Sequence, residues 1–330
     1  MPQDVADFVI PRPGGPETPP QKPIAGPDEA AFVKAFGQLL PPAKFLNTVT
    51  GKAAYYELPP SAPSQNSDPP HRVLFLHGVQ TPALGMLPLA RALHVSHPHA
   101  HIVLVDLWGH GITETPIAPH DANLFLGLVD ALLDELNWPS AHLVGYSFGG
   151  NLTARYVALR PSRVQSFVLV APAGLFRLSN FSTEDQAQFG GDDQVAAWKW
   201  VLNFLEGGDL VVPADWKERA EKGEVVAEAV KEWQMREHLG HTATVTAIFR
   251  DAGVMDSHAE FLEASQSGIP SIAILGESDE VCNEQQLKEQ GFGNVVTISN
   301  VGHAVVRARA SEVAALVGDF WSKIGKANTA

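Results

Sequence analysis

Short apolar runs recur along this chain, with amphipathic stretches between them. Arg72–Leu76 reads Arg-Val-Leu-Phe-Leu, almost wholly apolar. A short run without alternation predicts a strand covered on both faces, as in a parallel sheet. Ile102–Val105, Leu143–Tyr146, Gln165–Val170, Ser271–Leu275 and Val295–Ser299 repeat the pattern. In between, the period changes to that of a helix. Asn123–Leu136 carries apolar residues at 124, 125, 128, 129, 132, 133 and 136, which is one helical face. Leu84–His94, the segment from Asn151 to Leu159, and Ser311–Ile324 are further predicted helices. Alternating strand and helix predicts the α/β class: a doubly wound, mostly parallel sheet flanked by helices.

The chain enters this pattern through other elements. Asp28–Leu40 has helical spacing, with Phe32, Phe36, Leu39 and Leu40 apolar, and Pro41-Pro42 stops it. Lys44–Leu58 predicts a hairpin turning at Thr50-Gly51. Pro59–Pro70 is rich in Pro, Ser and Asn and predicts a surface loop. Between Phe176 and Glu263 the alternation stops. Helical runs stand there instead: Gln194–Leu205, Trp216–Leu239 and Thr242–Phe249. An insertion before a late strand falls over the carboxyl edge of the sheet, where ligands bind in such folds. It reads as a cap. The expected organisation is a proline-rich arm and short helix over 1–43, a core over 44–175 and 264–330, and a helical cap over 176–263.

At 330 residues and 45% hydrophobic composition the chain can build a large core. The formal net charge is −14, with no long basic run, which disfavours nucleic acid and anionic membrane surfaces as partners. Cys282 is the one cysteine, so no intrachain disulfide is possible, and it reads as a packed residue. No stretch approaches the roughly 20 apolar residues that a membrane span needs. The N-terminus lacks the basic start and apolar segment of a signal peptide. It carries eight prolines in residues 1–28, which predicts an extended arm. A cytoplasmic protein is the expectation.

The most specific chemistry is Gly145-Tyr146-Ser147-Phe148-Gly149-Gly150, directly after the apolar run 141–144. Gly-x-Ser-x-Gly between a strand and a helix is the sequence form of a nucleophile elbow. Gly145 and Gly149 remove side chains where the two backbones nearly touch. A serine hydroxyl needs an adjacent base, and the base needs a group that fixes its tautomer. Two later strands supply both. Ser271–Gly276 is followed by Glu277-Ser278-Asp279-Glu280, and Val295–Ser299 by Asn300-Val301-Gly302-His303. The order is Ser147, Asp279, His303, each at a strand's carboxyl end. His and Asp/Glu clusters at metal-ligand spacing are absent, and no metal or organic cofactor is called for.

Four segments carry a resemblance: Leu76-His77-Gly78, Asp106-Leu-Trp-Gly109-His110-Gly111, the elbow, and Gly302-His303. On these the chain resembles the α/β-hydrolase fold superfamily over roughly residues 44–325. Within it the chain is similar to the capped serine hydrolases that include esterases, lipases and lactonases. The resemblance implies His303 as the base and Asp279 as the acid, with Glu277 and Glu280 still open as neighbours. It implies that His77 shapes the oxyanion loop and that His110 lies in a structural turn. Asp106 precedes the serine and reads as structural. The oxyanion hole is expected from the backbone N–H groups of Phe148 and Val79, with Gln80 a weaker candidate as a side-chain helper.

The leading expectation is a small-molecule substrate: an ester or lactone of modest size and apolar character, cleaved by two-step acyl transfer. Phe176, Phe181, Trp198, Trp200, Phe204, Trp233 and Phe249 are available to line an apolar pocket, although most are expected in the core of the insertion. A second reading keeps the triad and cleaves carbon–carbon bonds, thioesters or peptides. Epoxide hydrolases and dehalogenases are set aside, because in the resemblance they carry an aspartate where Ser147 stands. A third reading is a ligand-binding or non-hydrolytic protein on the same fold.

Overall fold

The computed structural model describes residues 9–16, 19–63 and 70–328. The start of the proline-rich arm, residues 17–18 within it, and residues 64–69 of the expected surface loop lie outside the described residues. Eight strands form one sheet: β1 (Lys44–Asn47), β2 (Lys52–Leu58), β3 (Arg72–Leu76), β4 (His101–Val105), β5 (Ala141–Tyr146), β6 (Val164–Val170), β7 (Ser271–Gly276) and β8 (Val295–Ile298). Their order is β1-β2-β4-β3-β5-β6-β7-β8. β1 and β2 form the antiparallel hairpin, β2 also runs antiparallel to β4, and every other pair is parallel.

Four helices precede β6: α1 (Glu29–Phe36), α2 (Leu87–Ser96), α3 (Ala122–Glu135) and α4 (Phe148–Leu159). Six lie between β6 and β7: α5 (Thr183–Phe189), α6 (Gln194–Glu206), α7 (Trp216–Glu221), α8 (Ala227–Glu237), α9 (His241–Asp251) and α10 (His258–Gln266). The chain closes with α11 (Glu284–Glu289), α12 (Val305–Ala308) and α13 (Ala310–Asn328).

Apolar strands of this kind need cover on both faces, and they have it. Val73, Phe75, Ile102, Leu104, Val144 and Val168 share one buried cluster with Leu89 and Leu93 of α2 and with Val317 and Trp321 of α13. Their neighbours Leu74, Leu76, Val103, Leu143, Phe167 and Leu169 share the other with Leu128 and Leu132 of α3 and Leu152 of α4. Successive side chains point to opposite faces, so each strand feeds both layers. Each large apolar side chain buried in this way contributes about 1.5–3 kcal/mol.

The helical segment between β6 and β7 departs from the sequence pattern in three places, the third being α10, which lies outside the predicted runs. The run over Trp216–Leu239 is two helices, because Gly223 takes φ +85° between α7 and α8 and turns the chain. α5 has no strong apolar period. It begins at a capping box, in which Ser182 Oγ accepts from Asp185 N–H at 3.1 Å and the Asp185 carboxylate accepts from Ser182 N–H at 3.3 Å. α10 packs on α4, where Asn151 Nδ2 donates to Ser257 Oγ at 2.8 Å and Arg155 pairs with Glu260 at 2.8 Å. The described part of the arm lies on the body. Ile24 bridges Thr115 in antiparallel fashion, and Ile10 is buried against Ala243 and Ala247 of α9.

Candidate active site

β5 delivers Ser147 into a tight turn, with φ 53° and ψ −118°. A side chain held there costs on the order of 1–3 kcal/mol and persists only where neighbours over-determine it. They do so here. Ser147 N–H donates to the Val170 carbonyl at 3.1 Å, and the Ser147 carbonyl accepts from Ala173 N–H at 2.9 Å. The flanking glycines are a matter of space. A Cβ on Gly149 would run into the Leu76 carbonyl, and one on Gly145 into the Gly149 carbonyl and the Thr153 hydroxyl.

Ser147 Oγ lies 3.0 Å from Nε2 of His303. Nδ1 of the same ring lies 3.1 and 3.3 Å from the two carboxylate oxygens of Asp279. An ionised carboxylate only accepts, so Nδ1 carries the proton and Nε2 is left to accept from the serine hydroxyl. The Asp279 side chain is 0% exposed and also accepts from Val281 N–H at 2.8 Å. The two neighbouring carboxylates are placed elsewhere. Glu277 accepts from Asn300 N–H at 2.9 Å and ties the β7 loop to the β8 loop. Glu280 lines the cavity in front of Ser147 without a bond to His303.

Asp106 is buried under the next loop. It accepts from Ala83 N–H at 2.8 Å, Tyr56 O–H at 2.9 Å and Ile112 N–H at 3.2 Å. Burial pushes its carboxyl up to about 6. His77 donates from Nδ1 to the Gly78 carbonyl at 2.7 Å and accepts at Nε2 from Leu107 N–H at 2.9 Å. Burial lowers it to about 4, so it stays neutral and acts as a brace between the loops after β3 and β4. His110 donates to the Trp108 carbonyl at 2.9 Å and accepts from Gln80 N–H at 3.4 Å. Cys282 is buried, and burial together with the Asp279 charge pushes its thiol up, away from reactivity.

In the β3–β5 ladder Leu76 stands opposite Gly145, so the loop 77–81 leaves the sheet beside the elbow. A Cβ on Gly78 would lie 2.8 Å from the Ser147 Cβ. Val79 and Phe148 both line the cavity of Ser147. Among the described residues neither backbone N–H has a protein acceptor.

The cavity holds about 560 Å³. Ser147, Tyr146 and His303 line it from the sheet side, and Phe176, Phe204, Leu205, Phe249, Val254 and Met255 from the segment between β6 and β7. Glu206 and Lys231 also face it and pair with each other at 2.6 Å. Three of the seven aromatic residues singled out in the sequence therefore line it. Trp200 stacks behind Phe204 at 5.3 Å, Phe181 packs against Phe204 at 5.7 Å, and Trp233 lies edge-on to Phe32 at 5.4 Å. Trp198 is buried in the core. Sequence reasoning missed Thr81 and Arg307, which also line the cavity. The available signal was that Arg307 follows His303 by one helical turn.

Among the described residues no group of three or more His, Cys, Asp or Glu could hold a metal ion, and no helix is long and apolar enough to cross a membrane.

Comparison with known proteins agrees with this fold. A family model described as the alpha/beta hydrolase fold matches residues 72–306. A monoacylglycerol lipase of Rattus norvegicus is 26% identical over 273 residues, covering 76% of this chain and 75% of that protein. A dihydrolipoyllysine-residue acetyltransferase component of the acetoin cleaving system of Cupriavidus necator is 35% identical over 106 residues. That match covers 31% of this chain and only 26% of the relative. The solved enol-lactonase of Burkholderia xenovorans superposes with a TM-score of 0.61 at 18% identity, covering 84% of this chain and 99% of that one. The elbow, the sheet order and the family match over residues 72–306 lead to one conclusion: the chain belongs to the α/β hydrolase fold family and is a hydrolase.

Proposed function

We propose that this hydrolase cleaves a carboxylic ester or lactone of a modest-sized, largely apolar substrate through a covalent acyl-enzyme. The observation that carries the reading is the hydrogen-bonded series Ser147–His303–Asp279 facing a cavity of about 560 Å³ with aromatic walls. A volume of that size suits a small organic ligand. A lipase relative and an enol-lactonase fold neighbour support the same bond class.

In the proposed mechanism Ser147 Oγ attacks the substrate carbonyl while His303 Nε2 takes its proton. Asp279 holds the imidazole orientation and stabilises the imidazolium that forms. The carbonyl oxygen becomes an oxyanion facing the N–H groups of Val79 and Phe148. Collapse of the intermediate expels the alcohol, which leaves with the proton from His303. Water then attacks the acyl-serine by the same route, His303 takes its proton and returns it to Ser147 Oγ, and the carboxylic acid is released. The helices between β6 and β7 act as a cap that selects which carbonyl reaches Ser147.

The test is Ser147→Ala against a panel of p-nitrophenyl esters. The expected loss of turnover is on the order of 10⁶-fold for a triad acting as a unit. Near-normal hydrolysis by a contaminant-free variant overturns the proposal. Failure of the folded wild-type protein to label with a fluorophosphonate would favour a non-hydrolytic binding protein.

A further inference from the structure

The cavity wall also carries polar side chains that acyl transfer does not use. Three side-chain atoms there are buried and have no protein partner: Nε2 of Gln80, Oγ1 of Thr81 and Nη1 of Arg307. Gln80 is 1% exposed and Thr81 3%. All three residues line the cavity that holds Ser147. Two of the three lie near each other: the position a Cβ would take on Gly85 lies 3.2 Å from Thr81 Oγ1 and 3.6 Å from Arg307 Nη1. A Cβ there would also lie 2.9 Å from the Thr81 Cβ, so a glycine at 85 is what lets the two groups come this close.

The arrangement is held in place. Gln80 has φ +66°, a left-handed conformation that a glutamine rarely adopts. Its backbone N–H donates to His110 Nε2 at 3.4 Å, and its carbonyl accepts from Gln234 Nε2 at 2.6 Å. Gln234 is anchored in turn, accepting from Gly111 N–H at 2.7 Å. Arg307 lies over the Tyr146 ring at 5.6 Å, on a residue adjacent to the nucleophile. None of the carboxylates that face the cavity pairs with it. Glu206 is taken by Lys231 at 2.6 Å, and among the described residues Glu228 and Glu280 form no ion pair with Arg307.

Buried donors left without acceptors are costly, and a guanidinium fork matches a carboxylate with two parallel N–H···O bonds. We propose that Arg307, Gln80 and Thr81 form a carboxylate-recognition subsite, so that the preferred substrate is a half-ester of a dicarboxylic acid or a lactone bearing a free carboxylate. The inference rests on the ester-hydrolase reading of Ser147. It divides the cavity: the aromatic wall takes the apolar part of the substrate, and the Arg307 end takes its anion.

The experiment compares p-nitrophenyl half-esters of succinate, glutarate and adipate with the same esters methyl-capped at the far carboxyl, after subtraction of the uncatalysed rate. At least one half-ester is expected to exceed its capped partner in kcat/KM by about tenfold or more, mainly through KM. That ratio should fall toward one in Arg307→Met, be partly kept in Arg307→Lys, and drop in Gln80→Met and Thr81→Val. Fluorophosphonate labelling of each variant reports an intact Ser147 site. If Arg307→Met does not fold, the wild-type ratio and Thr81→Val still decide. A wild-type enzyme that hydrolyses the capped esters without preferring any half-ester overturns the subsite and leaves the hydrolase reading standing. So does a preference that survives in Arg307→Met unchanged. A folded wild-type protein that neither labels nor hydrolyses any ester overturns both.

Discussion

Nδ1 of His303 sits 3.1 and 3.3 Å from the two oxygens of Asp279, a carboxylate that solvent does not reach. That contact sets which nitrogen faces Ser147. Asp279→Asn keeps the shape and removes the preference for an Nδ1 proton, so kcat on an aryl ester should fall by about 10⁴-fold. Glu280→Gln, one residue away on the cavity wall, should stay within about a few-fold of wild type, because its carboxylate does not touch the ring. Steady-state kinetics on both variants check this. The opposite ranking would move the acid to Glu280.

How much of this was legible beforehand depends on the range of the contacts. The strands were readable because both faces are buried, which leaves continuous apolar runs such as Val73–Leu76. That Ser147, Asp279 and His303 meet was readable because each follows a strand, and the parallel ladder brings those ends to one edge. The break between α7 and α8 was hidden by apolar spacing that continues across Gly223. The roles of the aromatic residues were hidden too, since Phe204 on the cavity wall and Trp200 behind it have the same sequence character. Nothing local joins Thr81 to Arg307. They meet only because the loop after β3 and the helix after His303 close on the same space.

In the proposed mechanism the two oxyanion candidates act through their main chains, and their side chains make separable predictions. The Phe148 side chain is 0% exposed and lies edge-on to Phe125 at 5.2 Å. Phe148→Ala should therefore cost about 3–5 kcal/mol of stability. The fraction that remains folded should turn over within about tenfold of wild type, because the backbone N–H is retained. Val79→Ala, at a half-buried position, should change neither property much. Urea midpoints and kcat on the same preparations measure both. An unchanged midpoint in Phe148→Ala would contradict the packing argument, and a far larger kinetic loss in Val79→Ala would give its side chain a role.

Buried histidines make stability depend on pH. In the folded state burial lowers His77, His120, His142 and His238 from 6.5 to about 4, and His241 to about 3. Between pH 6.5 and about 4 the unfolded chain gains these protons and the folded protein does not, so stability falls as pH falls. The limit is about 1.4 kcal/mol per pH unit for each histidine. Asp106 opposes the trend, because burial raises it from 3.8 to about 6 and the folded state holds its proton first. It offsets about one histidine across that window. Urea unfolding should thus give a midpoint that is level above pH 6.5 and falls steeply below it. His120→Gln should flatten the slope by about one proton. A midpoint independent of pH across the window would contradict the neutral, buried assignment.

Phe204 makes the apolar wall testable. Its ring stacks on Trp200 at 5.3 Å, with an interplanar angle of 9°, and meets Phe176 at 5.6 Å and Phe249 at 5.7 Å, both edge-on. Phe204→Ala removes a wall of the cavity and leaves Trp200 behind the gap. Short esters should lose apolar contact, and a longer chain should recover it at about 0.8 kcal/mol per methylene newly buried. Along a p-nitrophenyl series from acetate to laurate, the optimum in kcat/KM should therefore move to longer acyl chains. The change should come mainly through KM, because Ser147 and His303 are untouched. Trp200→Leu, which alters the layer behind the wall, should loosen the fold without moving the optimum as far. An identical chain-length profile in wild type and Phe204→Ala would show that the substrate's apolar part lies elsewhere.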